Sequence, residues 1–270
     1  MKSLNEEKLV YEKWLCAEPK AIVLLVHGLG AHRGRWQFFA QYMLKNGVSS
    51  YALDLRGFGN TKTLKAHIDS FEEYNRDILK LRDIIRQENP GKKIFLLGES
   101  MGALIAYLLA ARSDALFSGL ICISPAFKSK IKFSFLDYFN FCLSLLFNPR
   151  KYFKANFDSS MITHDADYLK VMDADPLEYR FATARLLFGI LLSQIKVALF
   201  RNKIDIPVLF LLSGEDILVD SNVSVRVFEG LKNSNKQIIE YTGMYHALTI
   251  EKDRERVFAD IYAWIGKNIG

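Results

Sequence analysis

Residues 94–110 constrain this chain more strongly than any other segment. An apolar run, residues 94–97, is short and bulky enough for a buried strand, and it leads through the turn GESMG, residues 98–102, into Ala- and Leu-rich sequence of helical character. Such a turn lifts its central residue, Ser100, above the helix N-terminus, where the helix dipole favours developing negative charge. Taken alone, the pattern also fits an ordinary glycine-bracketed turn, so other parts of the chain must decide whether Ser100 is catalytic.

The rest of the chain alternates between strand-like and helix-like segments. Strands are predicted at residues 9–16, 21–26, 48–53, 94–97, 116–124, 207–212 and 237–241. Helices are predicted at residues 35–46, 70–89, 221–231 and 254–265, in addition to the helix that follows Ser100. Strands that alternate with helices in this way indicate an α/β fold with a mostly parallel, doubly wound sheet.

Between residues 126 and 204 this alternation lapses. The segment shows no clear strand but has three helix-like stretches, at residues 133–147, 165–173 and 180–200. We interpret it as a helical cap, or lid, inserted between two halves of one core domain, residues 1–125 and 205–270. A chain of 270 residues is long enough to bury the core of one such domain.

Composition excludes a disordered chain and does not favour nucleic-acid binding. Half of the residues are hydrophobic and 13% are aromatic. The formal net charge of +6 could attract an anionic partner, but the lysines and arginines are scattered and no nucleic-acid motif occurs. We therefore expect a solvated basic surface and no nucleic-acid partner.

The cysteines and the N-terminal sequence indicate where the protein resides. Cys16, Cys122 and Cys142 are too few and too unevenly spaced for a disulfide framework. The first residues lack the apolar stretch of a signal peptide, and no apolar run reaches the ~18 to 20 residues of a spanning helix. We therefore expect a cytoplasmic protein, with peripheral membrane contact as an open alternative.

Polar residues that follow the predicted strands are candidates for catalysis, because ligands of open α/β sheets bind beyond the carboxyl ends of the strands. Ser100, Asp216 and His246 follow strands and occur in this order. A serine hydroxyl becomes a nucleophile when an imidazole takes its proton, and a carboxylate must orient that imidazole and stabilise its cation. The sequence therefore predicts that Ser100 attacks, that His246 is the general base and that Asp216 orients His246.

Other carboxylates are alternatives to Asp216. Glu215 comes one residue earlier and should point the other way, and Asp220 is equally suited to the N-cap of the next helix. Asp54 also ends a strand, but it precedes the nucleophile and is expected to anchor the tight loop of residues 56–59.

Four other histidines are alternatives to His246. His27 immediately follows a buried strand and is expected to shape the loop after it. His32 and His67 are expected to be ordinary surface histidines, and His164 belongs to the cap. Only His246 follows a late strand and precedes the final helix, which makes it the preferred base.

The oxyanion hole requires two backbone N–H groups aimed at the oxygen that becomes negative. One is expected from Met101, directly after the nucleophile. The other is expected from Leu29, because Gly28 and Gly30 on either side let this loop approach a substrate closely.

Seven short motifs occur along the chain. They are HGLGAH at residues 27–32 with Arg35-Trp36, DLRGFG at 54–59, GESMG at 98–102, THD at 163–165, DPL at 175–177, DILVD at 216–220 and YH at 245–246. With them the chain, from about residue 9 to residue 264, resembles the S33-like monoacylglycerol lipase and lysophospholipase group of α/β-hydrolases. The resemblance implies an α/β-hydrolase fold, with the helical cap inserted after the sixth strand, and ester hydrolysis without a cofactor or metal.

The chain departs from this group at a few positions. Phe58 stands where relatives often carry His, Thr61 where they often carry Ser, and Ala103 where a second Gly is common. The segment before the first strands is short, so an edge hairpin is expected to be reduced. None of these departures touches the predicted triad.

The first helix-like stretch of the cap, residues 133–147, is dense in aromatic and leucine residues. One interpretation is a lid that lines an acyl tunnel, with Phe133, Phe139 and Phe147 as substrate-binding candidates, and that touches the membrane from which lipids partition. The alternative is that its aromatic face packs on the core of the main domain. Apolar residues on more than one face favour the lid.

The expected reaction is hydrolysis of a carboxylic ester through an acyl-enzyme. Monoacylglycerol is the first substrate expected, followed by lysophospholipid and by short-chain esters, so the partner is a small lipid or ester. A peptidase of the proline iminopeptidase type would need an acidic cap pocket, and a dehalogenase would carry Asp in place of Ser100. A non-catalytic binding protein of the same fold is a further alternative, although such proteins usually lose a triad member.

Overall fold

A mostly parallel sheet of seven strands forms the centre of the fold. The computed structural model describes residues 9–112, 116–131, 134–200 and 204–269, without the side chain of residue 200. Its strands are β1 (Tyr11–Trp14), β2 (Ala21–Val26), β3 (Val48–Leu53), β4 (Ile94–Glu99), β5 (Gly119–Ile123), β6 (Tyr152–Lys154), β7 (Phe181–Thr183), β8 (Val208–Ser213) and β9 (Lys236–Tyr241). The sheet has the order β1-β3-β2-β4-β5-β8-β9, in which β1 runs antiparallel to β3 and the other neighbours are parallel.

The described residues form eight α-helices and three short 3-10 helices. The α-helices are α1 (Gln37–Lys45), α2 (Phe71–Glu88), α3 (Met101–Ala110), α4 (Phe135–Phe147), α5 (Ala166–Ala174), α6 (Ala184–Phe200), α7 (Ser221–Glu229) and α8 (Arg254–Lys267). The 3-10 helices are Arg33–Trp36, Ser159–Met161 and Leu248–Ile250. In these parts of the chain, no helix combines the length and apolar character needed to cross a membrane.

Helices cover both faces of the sheet, so the predicted doubly wound α/β fold is confirmed. The side chains of β2 alternate between two hydrophobic cores, with Leu24 in one and Leu25 in the other. Residues of α2 and α3 complete the first core, and residues of α1 and α8 complete the second. Because both faces are buried, the strand is an unbroken apolar run rather than an alternating one.

Helix α2 begins where its sequence predicts. The Ser70 side chain accepts a hydrogen bond from the Glu72 N–H at 3.2 Å, and the Glu73 side chain accepts one from the Ser70 N–H at 3.1 Å. This reciprocal capping box satisfies backbone donors that the first turn leaves free. The helix ends at Glu88, just before Pro90.

The segment between β5 and β8 differs from the prediction in two respects. Five strands of the described sheet precede it, so the cap follows the fifth strand and not the sixth, because β1 by itself forms this edge of the sheet. The segment also contains a two-stranded antiparallel sheet, β6 and β7, where no strand was predicted. Strands of three residues are too short to show a periodicity, and their pairing makes α6 begin at Ala184 rather than near residue 180.

Helix α3 lies very close to the sheet at its first turn. A Cβ atom on Gly102 would collide with the backbone carbonyls of Val26 and His27 at the end of β2. Only glycine permits this approach. The approach brings the N-terminus of α3 to the carboxyl ends of β2 and β4, where the predicted catalytic residues lie.

Replacing Gly102 by Ala should therefore destabilise the protein, by about 3 kcal/mol or more, because the new methyl group meets backbone rather than a movable side chain. The matched control is Gly266→Ala in α8, where an added Cβ would meet no atom within 4 Å. That control should leave stability unchanged or raise it by up to about 1 kcal/mol. Urea unfolding of both variants tests the prediction, and equal stabilities would contradict it.

Candidate active site

Ser100 occupies a strained turn between β4 and α3. Its φ of 56° and ψ of −118° lie outside the regions that non-glycine residues favour. Its N–H donates to the Ile123 carbonyl at 2.9 Å, and its own carbonyl accepts from the N–H groups of Leu104 and Ala126 at 3.1 Å each. These three hydrogen bonds stabilise the turn. The Ser100 side chain caps no backbone group of α3, so its hydroxyl is available to another partner.

His246 and Asp216 form a buried pair at the carboxyl edge of the sheet. His246 Nδ1 lies 2.8 Å from Asp216 Oδ2, and the side chains are 7% and 1% exposed. This contact leaves His246 Nε2 as the ring nitrogen that can serve Ser100. The described structure shows no hydrogen bond between the Ser100 hydroxyl and His246, and such bonds often form only in the substrate complex.

The surroundings of Asp216 keep it ionised. Its Oδ1 accepts hydrogen bonds from the N–H groups of Leu218 and Val219, each at 2.9 Å. Burial acts to raise its pKa, but the nearby His246 and these hydrogen bonds prevail and hold the pKa of Asp216 below its ordinary 3.8. A carboxylate in this position can stabilise a positive charge on His246.

The carboxylates that compete with Asp216 are engaged elsewhere or exposed. Asp220 accepts a hydrogen bond from the Asn222 N–H at 3.2 Å and caps α7, and Glu215 is exposed. Asp54 accepts from the N–H groups of Arg33 at 2.8 Å and Asn60 at 2.9 Å. It therefore anchors the loop that follows β3, as predicted.

His27 has a structural role, as predicted, because its ring joins two loops. Its Nε2 accepts a hydrogen bond from the Leu55 N–H at 3.0 Å, and its Nδ1 donates to the Gly28 carbonyl at 2.8 Å. Burial lowers the pKa of His27 to about 4, so the ring is neutral and joins two loops.

The prediction that His32 and His67 lie at the surface is wrong, because the cap covers both. His32 Nε2 lies 2.9 Å from Asp175 Oδ2, and His67 Nδ1 lies 3.0 Å from Thr183 Oγ1. Both partners belong to the cap, more than a hundred residues further along the chain. His164 contacts Glu251 at 3.2 Å, so neither it nor these two histidines replaces His246 beside Asp216.

The two predicted oxyanion donors lie beside Ser100. Met101 starts α3, so its N–H has no partner within the helix. Leu29 follows Gly28, on which a Cβ atom would lie 3.1 Å from the Ser100 Cβ. Within the described residues, neither the Leu29 N–H nor the Met101 N–H donates to another backbone carbonyl. Both groups are therefore free to donate to a substrate oxygen.

The cap lies directly against this loop. The Tyr179 N–H donates to the Gly30 carbonyl at 2.8 Å, and a Cβ on Gly30 would come within 2.5 Å of the Tyr179 carbonyl oxygen. Gly30 also has a φ of 80°, which side chains disfavour. The cap and the loop therefore meet backbone to backbone.

A buried ion pair strengthens the same contact. Arg35 donates from Nε and from a terminal nitrogen to the two carboxylate oxygens of Glu178, each at 2.7 Å. The side chains are only 9% and 6% exposed. A bidentate pair of this kind fixes orientation as well as charge. It connects the 3-10 helix after the oxyanion loop with the cap.

Comparison with known proteins agrees with this geometry. A family model described as serine aminopeptidase, S33, matches residues 17–253. The chain belongs to this family. Membership confirms the resemblance that the motifs indicate and the expectation that the chain is a hydrolase.

Three known proteins that are similar to this S33 family member are compared by identity and coverage. Human monoglyceride lipase is 31% identical in an alignment of 262 positions that covers 92% of this chain and 83% of that protein. Phospholipase YtpA of Bacillus subtilis is 28% identical over 249 residues, covering 91% of this chain and 95% of the relative. The crystal structure of a Paleococcus ferrophilus monoacylglycerol lipase covers 97% of this chain and 99% of its own, with a TM-score of 0.86 and 27% identity. The α/β-hydrolase fold is thereby confirmed.

Glu251 is a site residue of this S33 protein that the sequence did not reveal. Its buried carboxylate accepts hydrogen bonds from the N–H groups of Tyr245 at 2.9 Å and His164 at 3.1 Å. In addition, Thr163 Oγ1 donates to the Ile250 carbonyl at 3.1 Å. The THD motif of the cap thus docks on the loop that carries His246. No local pattern marks Glu251, because its cap partner His164 lies 87 residues away in sequence.

The aromatic helix of the cap does not pack on the core of the main domain. Along α4 only Ser144 is buried, while Phe139 is 54% and Phe147 is 81% exposed. Phe133, the third substrate-binding candidate, lies outside the described residues. In this structure Phe139 and Phe147 therefore face the surface rather than a closed acyl tunnel, because α4 turns little of its apolar surface inward.

Glu178→Ala should destabilise the S33 fold by about 3 to 5 kcal/mol, because it leaves Arg35 buried without a counter-charge. The control is Asp167→Ala, which removes a cap carboxylate that is 92% exposed and should cost less than about 0.5 kcal/mol. Replacing both Arg35 and Glu178 by Met should restore most of the loss. Urea unfolding measures all three, and equal losses for Glu178→Ala and Asp167→Ala would contradict the prediction.

Proposed function

We propose that this protein is a serine carboxylic-ester hydrolase that releases fatty acid and glycerol from monoacylglycerols. The observation that carries the proposal is the buried His246–Asp216 pair, with its 2.8 Å contact, on the loops beside the Ser100 turn. Support for the substrate comes from the relatives, since two proteins named monoglyceride or monoacylglycerol lipase align with more than nine-tenths of the chain.

The proposed reaction proceeds in two acyl-transfer steps. Ser100 Oγ attacks the ester carbonyl while His246 Nε2 takes its proton, and the N–H groups of Leu29 and Met101 stabilise the tetrahedral oxyanion. His246 then protonates the leaving alcohol, which leaves an acyl group on Ser100. Water, deprotonated by His246, attacks this acyl-enzyme, and the returning proton restores Ser100 as the fatty acid departs. Asp216 holds His246 in the required tautomer throughout.

A second candidate substrate is lysophospholipid. Its support is the 28% identity to a protein named phospholipase, which aligns along 95% of that protein's length. The chemistry at Ser100 would be the same, and the head group would decide between the two substrates. Residues outside the triad would then set the preference.

Assays with monoacylglycerols, lysophosphatidylcholine and short p-nitrophenyl esters test the proposal. The parent protein should hydrolyse monoacylglycerols with the highest kcat/KM, and a fluorophosphonate probe should label it. Ser100→Ala and His246→Ala should each lower kcat by about 10⁴-fold or more, because nucleophile and base act as a unit. The absence of probe labelling in the parent protein would favour a non-catalytic binding protein, and undiminished activity in His246→Ala would reject the assignment of the base.

We also propose that the cap contacts a lipid surface. Helices α4 and α6 pack against each other and expose a set of large apolar side chains, here called the apolar cap surface. It comprises Phe135, Leu136, Phe139, Leu146, Phe147, Leu191, Ile195 and Leu199. Monomeric soluble proteins rarely expose so many neighbouring apolar side chains without a partner.

The charge of the cap favours an anionic lipid surface as that partner. Between residues 126 and 204 there are twelve Lys and Arg against seven Asp and Glu, a surplus of five positive charges within a chain whose net charge is +6. Basic residues near an apolar face strengthen binding to anionic lipids, and added salt weakens this electrostatic attraction. A lipid substrate could then pass from the surface to Ser100 without crossing water.

Leu146→Asp and Phe147→Asp should each weaken binding to anionic vesicles about tenfold or more, because a charge would enter the apolar boundary. The matched control is Leu15→Asp, since Leu15 is 47% exposed but belongs to the core domain. Vesicle co-sedimentation at low and high salt provides the measurement, with turnover of a soluble ester as the check on folding. Unchanged binding and unchanged long-chain turnover in both cap variants would reject the lipid contact.

A further inference from the structure

Glu99 is a buried carboxylate that the proposed reaction leaves without a role. It ends β4 directly before Ser100 and is only 4% exposed. Burying a carboxylate is costly unless hydrogen-bond donors or positive charges face it. The groups around Glu99 therefore indicate its role.

Thr249 provides a hydrogen bond to this carboxylate. Thr249 Oγ1 donates to Glu99 Oε1 at 3.0 Å. Thr249 lies in the 3-10 helix Leu248–Ile250, which follows His246 closely in the chain. The contact thus joins the turn that carries Ser100 to the loop that carries His246.

The charged groups near Glu99 come from several elements. Arg35 and His246 are the cations that interact electrostatically with Glu99. Tyr168 of α5 is neutral and also interacts electrostatically with Glu99. Burial prevails and holds the pKa of Glu99 above its ordinary 4.5, although Arg35, His246 and Thr249 act in the opposite direction and favour the ionised form. Arg35 is permanently charged and already paired with Glu178, and Asp216 lies on the other side of His246. Among the groups that act on Glu99, His246 is therefore the one whose charge changes during the proposed reaction.

We propose that Glu99 is a positioning residue that stabilises protonated His246 and, through Thr249, holds the histidine loop against the nucleophile turn. The proposal rests on the assignment of His246 as general base. When the proton of Ser100 passes to His246 Nε2, a positive charge forms near two carboxylates, Asp216 and Glu99. In a site that excludes water such charges act more strongly than they would in solvent.

Glu99→Gln tests the electrostatic part, because it removes the charge and keeps an acceptor for Thr249. In this proposal an ionised Glu99 favours the protonated form of His246, so the variant should move the acid limb of the kcat/KM profile to lower pH, by about half a unit or more. The plateau of kcat/KM should fall about three- to tenfold as the imidazolium loses support. The measurement is turnover of a soluble p-nitrophenyl ester between about pH 5 and pH 9. A merely structural residue would lower the plateau without moving the midpoint.

Thr249→Val is the second test, and it keeps the proposal open to rejection if Glu99→Gln does not fold. It removes one donor to the carboxylate with little change of shape, so the carboxylate is protonated more readily. The acid limb should move in the same direction as in Glu99→Gln, by a smaller amount. Thr249→Ser retains the hydroxyl and should keep the midpoint of the parent. An unchanged midpoint in Glu99→Gln, or in Thr249→Val when the first variant is unfolded, overturns the proposal.

His246→Ala separates this proposal from the proposed function. If His246→Ala is inactive while Glu99→Gln keeps the midpoint of the parent, only the role of Glu99 is rejected. If His246→Ala remains active, the assignment of the base is rejected, and the role of Glu99 falls with it.

Discussion

The position of Ser100 depends on how closely α3 can approach β2. Because residue 102 has no side chain, the first turn of α3 rests against the carbonyls of Val26 and His27. The oxyanion loop continues directly from β2, so the same approach sets the distance between this loop and Ser100. The strained backbone at Ser100 is sustained by hydrogen bonds from β5 and from its own helix. One close crossing of helix and strand therefore determines much of the geometry around the nucleophile.

The loop that carries His246 depends on carboxylates rather than on regular secondary structure. Asp216 contacts the imidazole itself, Glu251 accepts from the backbone just before it, and Glu99 accepts from Thr249 just after it. The three acids come from different parts of the chain and each is nearly buried. Each carboxylate has donors that offset part of its desolvation. They act together with backbone hydrogen bonds of the loop, such as the one from the Ala247 N–H to the Ile162 carbonyl at 2.9 Å.

Local sequence signals predict the sheet, the order of the triad residues and the N-cap residue of α2. Buried parallel strands are continuous apolar runs, and Asp216 and His246 follow two of them, so their approach is a consequence of parallel topology. The covering of His32 and His67, the Arg35–Glu178 pair and the docking of Glu251 could not be predicted in this way. Each joins residues some 85 to 145 positions apart, as between His164 and Glu251 or His32 and Asp175. The small β6–β7 sheet was missed because its strands have only three residues each.

The backbone contact between Tyr179 and Gly30 links the cap to the loop that carries a predicted oxyanion donor. The same short cap segment provides Asp175 to His32 and Glu178 to Arg35, so three residue contacts attach it to the loop that carries the Leu29 N–H and to the 3-10 helix that follows. The cap therefore supports the loop that carries the Leu29 N–H. A cap that swung away to admit substrate would release the support of one predicted oxyanion donor, and water entering the open cleft would meet an incompletely assembled site. Full stabilisation of the oxyanion would return only when the cap was seated again.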